Sequence, residues 1–202
     1  MTGGGRTRLI GLDGRSGAGK TTLAARLAGV LTTTDGERDG PGGGPVPVHV
    51  FHLEDLYPGW EGLVTGMEQY RRQVLEPLAA GRPARWTAWD WARDRPGGTY
   101  EIDPGGVLIA EGVGAGHAAA RPLLDALVWI EMPAAQRRDR ALARDGDLYR
   151  PHWSRWAVQE EAWLAHDDVA SAADVVVTGE PALEAIARVL RSRLGPTGRP
   201  RG

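Results

Sequence analysis

Gly14-Arg15-Ser16-Gly17-Ala18-Gly19-Lys20-Thr21 is the stretch on which the fold reading rests. It matches G-x-x-x-x-G-K-[ST] in full, and its flanks are those the motif requires. Arg8 to Leu12 before it reads as a buried strand. Thr21 to Val30 after it reads as a helix with Leu23, Leu27 and Val30 on one face. Lys20 is the single lysine of the chain; every other basic side chain in a Lys+Arg total of 24 is arginine. Lysine is thus kept where a compact ammonium on a flexible stem suits a ring of backbone N–H groups better than a planar guanidinium. Glycines let the backbone wrap an anion, the helix N-terminus adds partial positive charge, and the Thr21 hydroxyl is placed for Mg²⁺. The stretch Gly14, Arg15, Ser16, Gly17, Ala18, Gly19, Lys20, Thr21 and Thr22 is therefore the expected binding segment for a nucleoside triphosphate.

Outward from the loop, short apolar strands alternate with helices. Strands are expected at Val46–Leu53, Val107–Ala110, Leu127–Met132 and Asp174–Thr178. Helices are expected at Met67–Ala80, around Ala118–Asp125, from Pro133 to about Arg144, at Ser154–Val169 and at Pro181–Arg193. Trp86–Trp91 and Thr99–Ile102 could pair as a hairpin across Pro96-Gly97-Gly98. The pattern implies an α/β fold: a doubly wound parallel sheet with helices on both faces. At 202 residues the chain is expected to be one domain spanning 1–202. Two Gly/Pro-rich stretches, 32–45 and the tail from Leu194 on, read as disordered.

The net charge of −2 gives no reason to expect nucleic acid or an anionic membrane as partner. Cysteine is absent from the sequence, which excludes disulfides and thiolate chemistry. The Gly-rich start has no apolar signal core, and no run is long and apolar enough for a bilayer, so the expectation is a soluble, cytoplasmic protein.

In a doubly wound sheet ligands gather beyond the carboxyl ends of the strands, and three such ends carry acids. The first ends in Asp13, the second runs into Glu54-Asp55-Leu56-Tyr57, and the third ends in Glu111-Gly112. A carboxylate directly after four apolar strand residues, as at Glu111, needs a cation or donor beside it. Arg137, Arg140 and Arg144 share a helix face and suit a lid that closes over phosphates. Together these are the parts that phosphoryl transfer to a hydroxyl needs. Trp156 and Trp163, seven apart, read as core positions. His49 and His52 face opposite ways on a strand and make a poor metal pair.

The phosphate loop, Glu54-Asp55-Leu56-Tyr57, Trp89-Asp90-Trp91, Glu111-Gly112 and the arginine helix with Arg144-Asp145 occur in an order that resembles the uridine kinase family. That family sits within the wider P-loop group containing phosphoribulokinase. The resemblance spans about Leu9 to Gly179. It implies a P-loop NTPase fold with an arginine-bearing lid, ATP and Mg²⁺ as cofactors, and a small-molecule hydroxyl as acceptor. Carried over by motif, Lys20, Arg140 and Arg144 would act on the phosphates, and Thr21 and Glu111 would serve the metal. Matching on Tyr57 puts Glu54 at the base position with Asp55 beside it; the family uses Asp there, and Asp55 could take the role. Tyr57, Trp89 and Asp90 would contact the acceptor.

Two segments depart from the family. Ala92-Arg93-Asp94-Arg95 lacks the histidine that uridine kinases place there, and Pro58-Gly59-Trp60-Glu61-Gly62-Leu63 replaces their Asn-Phe-Asp-His-Pro segment. The implied activity is transfer of a γ-phosphoryl group to a nucleoside-like or related acceptor. The alternatives are a nucleotide-dependent ATPase or switch, or a relative that binds nucleotide without catalysis. A GTPase would need an Asn-Lys-x-Asp motif, which a chain with lysine only at position 20 cannot supply.

Overall fold

The computed structural model describes residues 6–34 and 46–194. Five parallel strands form the central sheet in the order β2-β5-β1-β6-β7: β1 (Arg8–Asp13), β2 (Val48–His52), β5 (Val107–Glu111), β6 (Ala126–Glu131) and β7 (Val175–Thr178). Strand alternation sends successive side chains to opposite faces. On one face Ile10, Leu12, Val107, Ile109, Val128 and Ile130 pack against α1 (Lys20–Thr34) and α7 (Leu183–Leu194) through Leu23, Leu27, Ile186 and Leu190. On the other, Leu9, Leu108, Ala110, Leu127 and Trp129 join a cluster with α2 (Leu63–Tyr70) and α5 (Trp153–Leu164), including Met67, Tyr70 and Trp156. Both sheet faces are covered, which is why β5 is apolar throughout until its last residue, Glu111. This is the α/β P-loop NTPase architecture.

The helix expected from Met67 to Ala80 is α2 running through a π-helical turn, Arg71–Leu75, into α3 (Glu76–Ala79). Four other expectations are corrected. The hairpin consists of β3 (Ala84–Asp90) and β4 (Arg95–Ile102), and it turns at 91–94 rather than at Pro96-Gly97-Gly98. Asp90 Oδ1 accepts the N–H groups of Ala92 and Arg93 at 3.1 and 3.0 Å, which fixes the reversal there. Pro96 then fits inside β4 because that strand is paired on one side only.

No long helix forms at 118–125; only the 3₁₀ turn Arg121–Leu123 does. The preceding loop is anchored elsewhere, with the N–H groups of Gly114 and Gly116 donated to Asp13 and that of Ala118 to Asp167. The late helix breaks into α5 and the short α6 (Val169–Ala172), whose N-cap is Asp168. Finally, Thr32–Thr34 complete α1 and Leu194 completes α7; the rest of the two Gly/Pro-rich stretches lies outside the described residues. Among the described residues no helix is long and apolar enough to cross a membrane.

Candidate active site

The carboxyl ends of β1, β2 and β5 are neighbours in the sheet, so the acids read from sequence converge. Register pairs Leu12 with Glu111 and Glu111 with His52. Glu111 Oε1 accepts the Thr21 hydroxyl at 2.9 Å and lies 2.6 Å from His52 Nδ1. Burial alone would push the Glu111 carboxyl up. The bond from His52, the Lys20 charge and the Thr21 hydroxyl outweigh it, and the group sits below its ordinary value of 4.5. His52 moves the opposite way, raised first by its bond to Glu111. Two hard oxygens, a hydroxyl and an ionised carboxylate, thus stand together at the head of α1, a donor set that fits Mg²⁺.

The phosphate loop is fixed from beneath and from outside. Lys20 Nζ donates to the carbonyls of Gly14 and Arg15 at 2.7 and 3.2 Å. Asp13, fully buried, accepts the N–H groups of Gly14, Gly114 and Gly116 at 2.6, 3.0 and 2.8 Å, joining the loop to the segment after β5. Burial lifts the Asp13 carboxyl to about 6, with those N–H groups and Lys20 opposing the rise. Gly17 has φ +80, and a Cβ there would lie 2.0 Å from the carbonyl oxygen of Arg137. Only glycine lets the loop pass that close to α4 (Ala134–Tyr149).

The phosphate loop, Glu111 and the start of α4 line one cleft of ≈ 1110 Å³. Since β2 and β7 are opposite edges of the sheet, the cleft has two ends. Towards β7 lie Arg26, Gln136, Gly179, Glu180 and Pro181. Towards β2 lie Glu54, Tyr57, Trp60, Trp91, Tyr149 and Trp156. The rings at this second end contact one another. Trp60 stacks on Tyr149 and His152 with centroids 5.2 and 4.4 Å away, and meets Trp91 at 4.6 Å. Tyr57 meets Trp156 at 4.9 Å and donates its hydroxyl to the Val113 carbonyl at 2.7 Å. Burial, reinforced by the negative charge of Asp13, holds the Tyr57 phenol well above 10.

Of the residues singled out from sequence, the phosphate loop from Ser16 to Thr22, Glu54, Tyr57, Glu111 and Arg140 line this cleft. Asp55 does not. It lines a separate groove of ≈ 260 Å³ with Trp89, where it accepts the Trp86 indole N–H at 3.4 Å. Adjacent residues in a 3₁₀ turn (Leu53–Leu56) thus line different cavities. Trp91, rather than Trp89, is the member of Trp89-Asp90-Trp91 in the cleft; Asp90 instead pairs with Arg93 at 2.6 Å in the hairpin turn. Arg137 is 6% exposed and donates to the Met132 and Ser16 carbonyls at 3.1 and 3.3 Å, so it fastens the start of α4 to the phosphate loop. Arg140 is exposed above Gly19. The side chain of Arg144 lies outside the described residues.

Sequence reasoning weighed His52 only as half of a metal pair and gave no site role to Trp60 or to Glu160, whose carboxylate accepts the Ser16 N–H at 2.9 Å. His52 follows from strand register, which needs the sheet order. Trp60 stood in a segment read only as a departure from a family pattern. Trp156 is core, as its spacing implied, and lines the cleft as well.

No family model matches the chain. Its fold is similar to that of a possible uridine kinase from Bacillus stearothermophilus, with TM-score 0.59 and 22% identity, covering 87% of this chain and 90% of that one. It is similar to the same degree to a candidate fructose transport system kinase from Silicibacter sp. TM1040, with TM-score 0.59 and 21% identity over 86% and 90% of the two chains. What this chain shares with both is the P-loop kinase fold over nearly its whole length.

Proposed function

We propose that the protein is a Mg²⁺-ATP-dependent small-molecule kinase that transfers the γ-phosphoryl group to a hydroxyl of a nucleoside-like or related acceptor. One observation carries this reading. A single cleft holds the phosphate loop, the Thr21–Glu111 pair and Glu54, and one of its ends is walled with aromatic rings. The likeness in fold to the two kinases named above supports it. The setting implied is the cytoplasm, where the nucleotide is made.

In this reading the loop amides and Lys20 Nζ hold the β and γ phosphates, with Lys20 leaving the Gly14 and Arg15 carbonyls to do so. Thr21 and Glu111 would hold Mg²⁺, which when bound would neutralise charge on the phosphate oxygens. Glu54, at the mouth of the aromatic end, accepts the acceptor hydroxyl's proton as its oxygen bonds to phosphorus and the bond to the β-phosphate oxygen breaks. Arg140, exposed on the first turns of α4, lies over the transferring group and stabilises its charge. Arg144, two turns of the same sequence pattern from Arg137, is assigned to the same lid. The base of the nucleotide lies along Gly179, Glu180 and Pro181, beyond β7.

The test is ADP release with Mg²⁺-ATP and a panel of nucleosides, sugars and pantothenate-like alcohols. The parent protein should release ADP with at least one acceptor and far less without any. Lys20→Ala should retain the fold and lose on the order of 10²–10³ in turnover, the scale of a removed transition-state charge contact. A Lys20→Ala protein that matches the parent overturns the assignment.

A further inference from the structure

Glu160 belongs to no motif in the sequence, yet it is 1% exposed and is hydrogen-bonded both to the phosphate loop and to Trp156 of the aromatic end. Its Oε1 accepts both the Ser16 backbone N–H at 2.9 Å and the Trp156 indole N–H at 3.0 Å. Its Oε2 accepts Arg15 Nε at 3.0 Å and lies 4.0 Å from Arg137 Nη1. A buried carboxylate is stable there because two N–H donors and two guanidinium groups compensate its charge. Arg15 also reaches the Ala157 carbonyl at 3.5 Å, adding a second tie from the loop to α5. Trp156 lines the aromatic end, and Ser16 begins the stretch of phosphate loop that lines the cleft. One carboxylate oxygen therefore takes a hydrogen bond from the phosphate loop and another from the aromatic end of the cleft.

We propose that Glu160 is a positioning residue that sets the phosphate loop and couples it to the acceptor end, so that a change at Trp156 alters triphosphate affinity. The inference rests on the kinase reading only in taking the loop as a triphosphate site. The physical route is short. Shifting the indole changes where the Glu160 carboxylate rests, and with it the Ser16 amide and Arg15 that share it. A hydrogen-bonded group with discrete partners transmits such a shift where a loosely packed surface would not.

The experiment is a double-mutant cycle read by calorimetric titration of Mg²⁺-ATP into the full chain at 25 °C, using Glu160→Gln, Trp156→Phe and the pair. Glutamine keeps one acceptor oxygen and loses the charge that holds Arg15. Phenylalanine keeps an aromatic ring and loses the indole N–H. Each single variant should raise Kd on the order of tenfold, within the usual range of site coupling. The double variant should be little worse than Glu160→Gln alone, because the Trp156 effect passes through that carboxylate. A solely architectural role would lower the unfolding temperature and leave Kd at the parent value in folded protein, which overturns the proposal. Fully additive losses overturn it as well. Failure of the parent to take up Mg²⁺-ATP would sink the kinase reading and the coupling together, whereas parent binding with unchanged variants would sink the coupling alone.

Discussion

Replacing Gly17 by alanine tests whether the phosphate loop and α4 are built as one unit. Two costs are visible. At φ +80 a side chain is strained in the left-handed region, roughly 1–2 kcal/mol. The new Cβ would also lie 2.0 Å from the Arg137 carbonyl oxygen, 2.7 Å from its carbon and 2.9 Å from Cα, all of them backbone. To restore an ordinary 3.4 Å contact the first turns of α4 must retreat by 3.4 − 2.0, about 1.4 Å. That retreat is resisted by the Arg137 bonds to Met132 and Ser16. Overpacking of this kind costs about 1–3 kcal/mol. The two together give about 2–5 kcal/mol, or roughly 5–15 °C in unfolding temperature for a chain of this size. Gly29→Ala is the control. It sits inside α1 with nothing within 4 Å of the added carbon, and it should stabilise by about 0.5–1 kcal/mol. Thermal unfolding of both variants decides the matter. If Gly17→Ala melts within about 2 °C of the parent and binds Mg²⁺-ATP equally well, the account of the contact between the loop and α4 is refuted.

Two further outcomes are expected. Glu54→Gln should lower kcat by roughly 10²–10⁴ with the acceptor found by the ADP screen, the usual contribution of a general base. Asp55→Asn should cost less than about tenfold, because Asp55 faces the other groove; equal losses would reverse the assignment. Asp13 makes stability fall with pH over a defined window. Its carboxyl goes from an ordinary 3.8 to about 6 on folding, so the folded state binds the extra proton. The associated stabilisation is complete below 3.8 and lost as pH rises through 6. Two units correspond to roughly 3 kcal/mol. Urea midpoints of parent and Asp13→Asn, compared from pH 3.5 to 7, should show the parent losing that amount relative to the variant; a difference that widens in the parent's favour contradicts the burial argument.

The phosphate loop was legible because its chemistry is local: eight consecutive residues between a strand and a helix carry the whole signal. Strand ends were legible for the same reason, since Asp13 and Glu111 each close a short apolar strand and Glu54 follows another strand. For the 118–125 segment the deciding contacts came from far along the chain. The 118–125 helix is absent because Asp13 and Asp167 claim the N–H groups of the segment's beginning and of the loop before it. The hairpin failed for a local reason: Asp90 holds the N–H groups of Ala92 and Arg93, which fixes the reversal at 91–94, ahead of Pro96-Gly97-Gly98.

What the residues by themselves determined is a parallel α/β sheet with an anion cradle at its first strand, since periodicity and a contiguous motif need no partner. Only the tertiary structure decided which neighbouring acid looks into the cleft, which tryptophan walls it, that Arg137 is a fastening rather than a mobile charge, and that Glu160 grips the loop from 144 residues away. Those outcomes depend on which surfaces meet across the sheet edges, and spacing along a single chain carries no record of that.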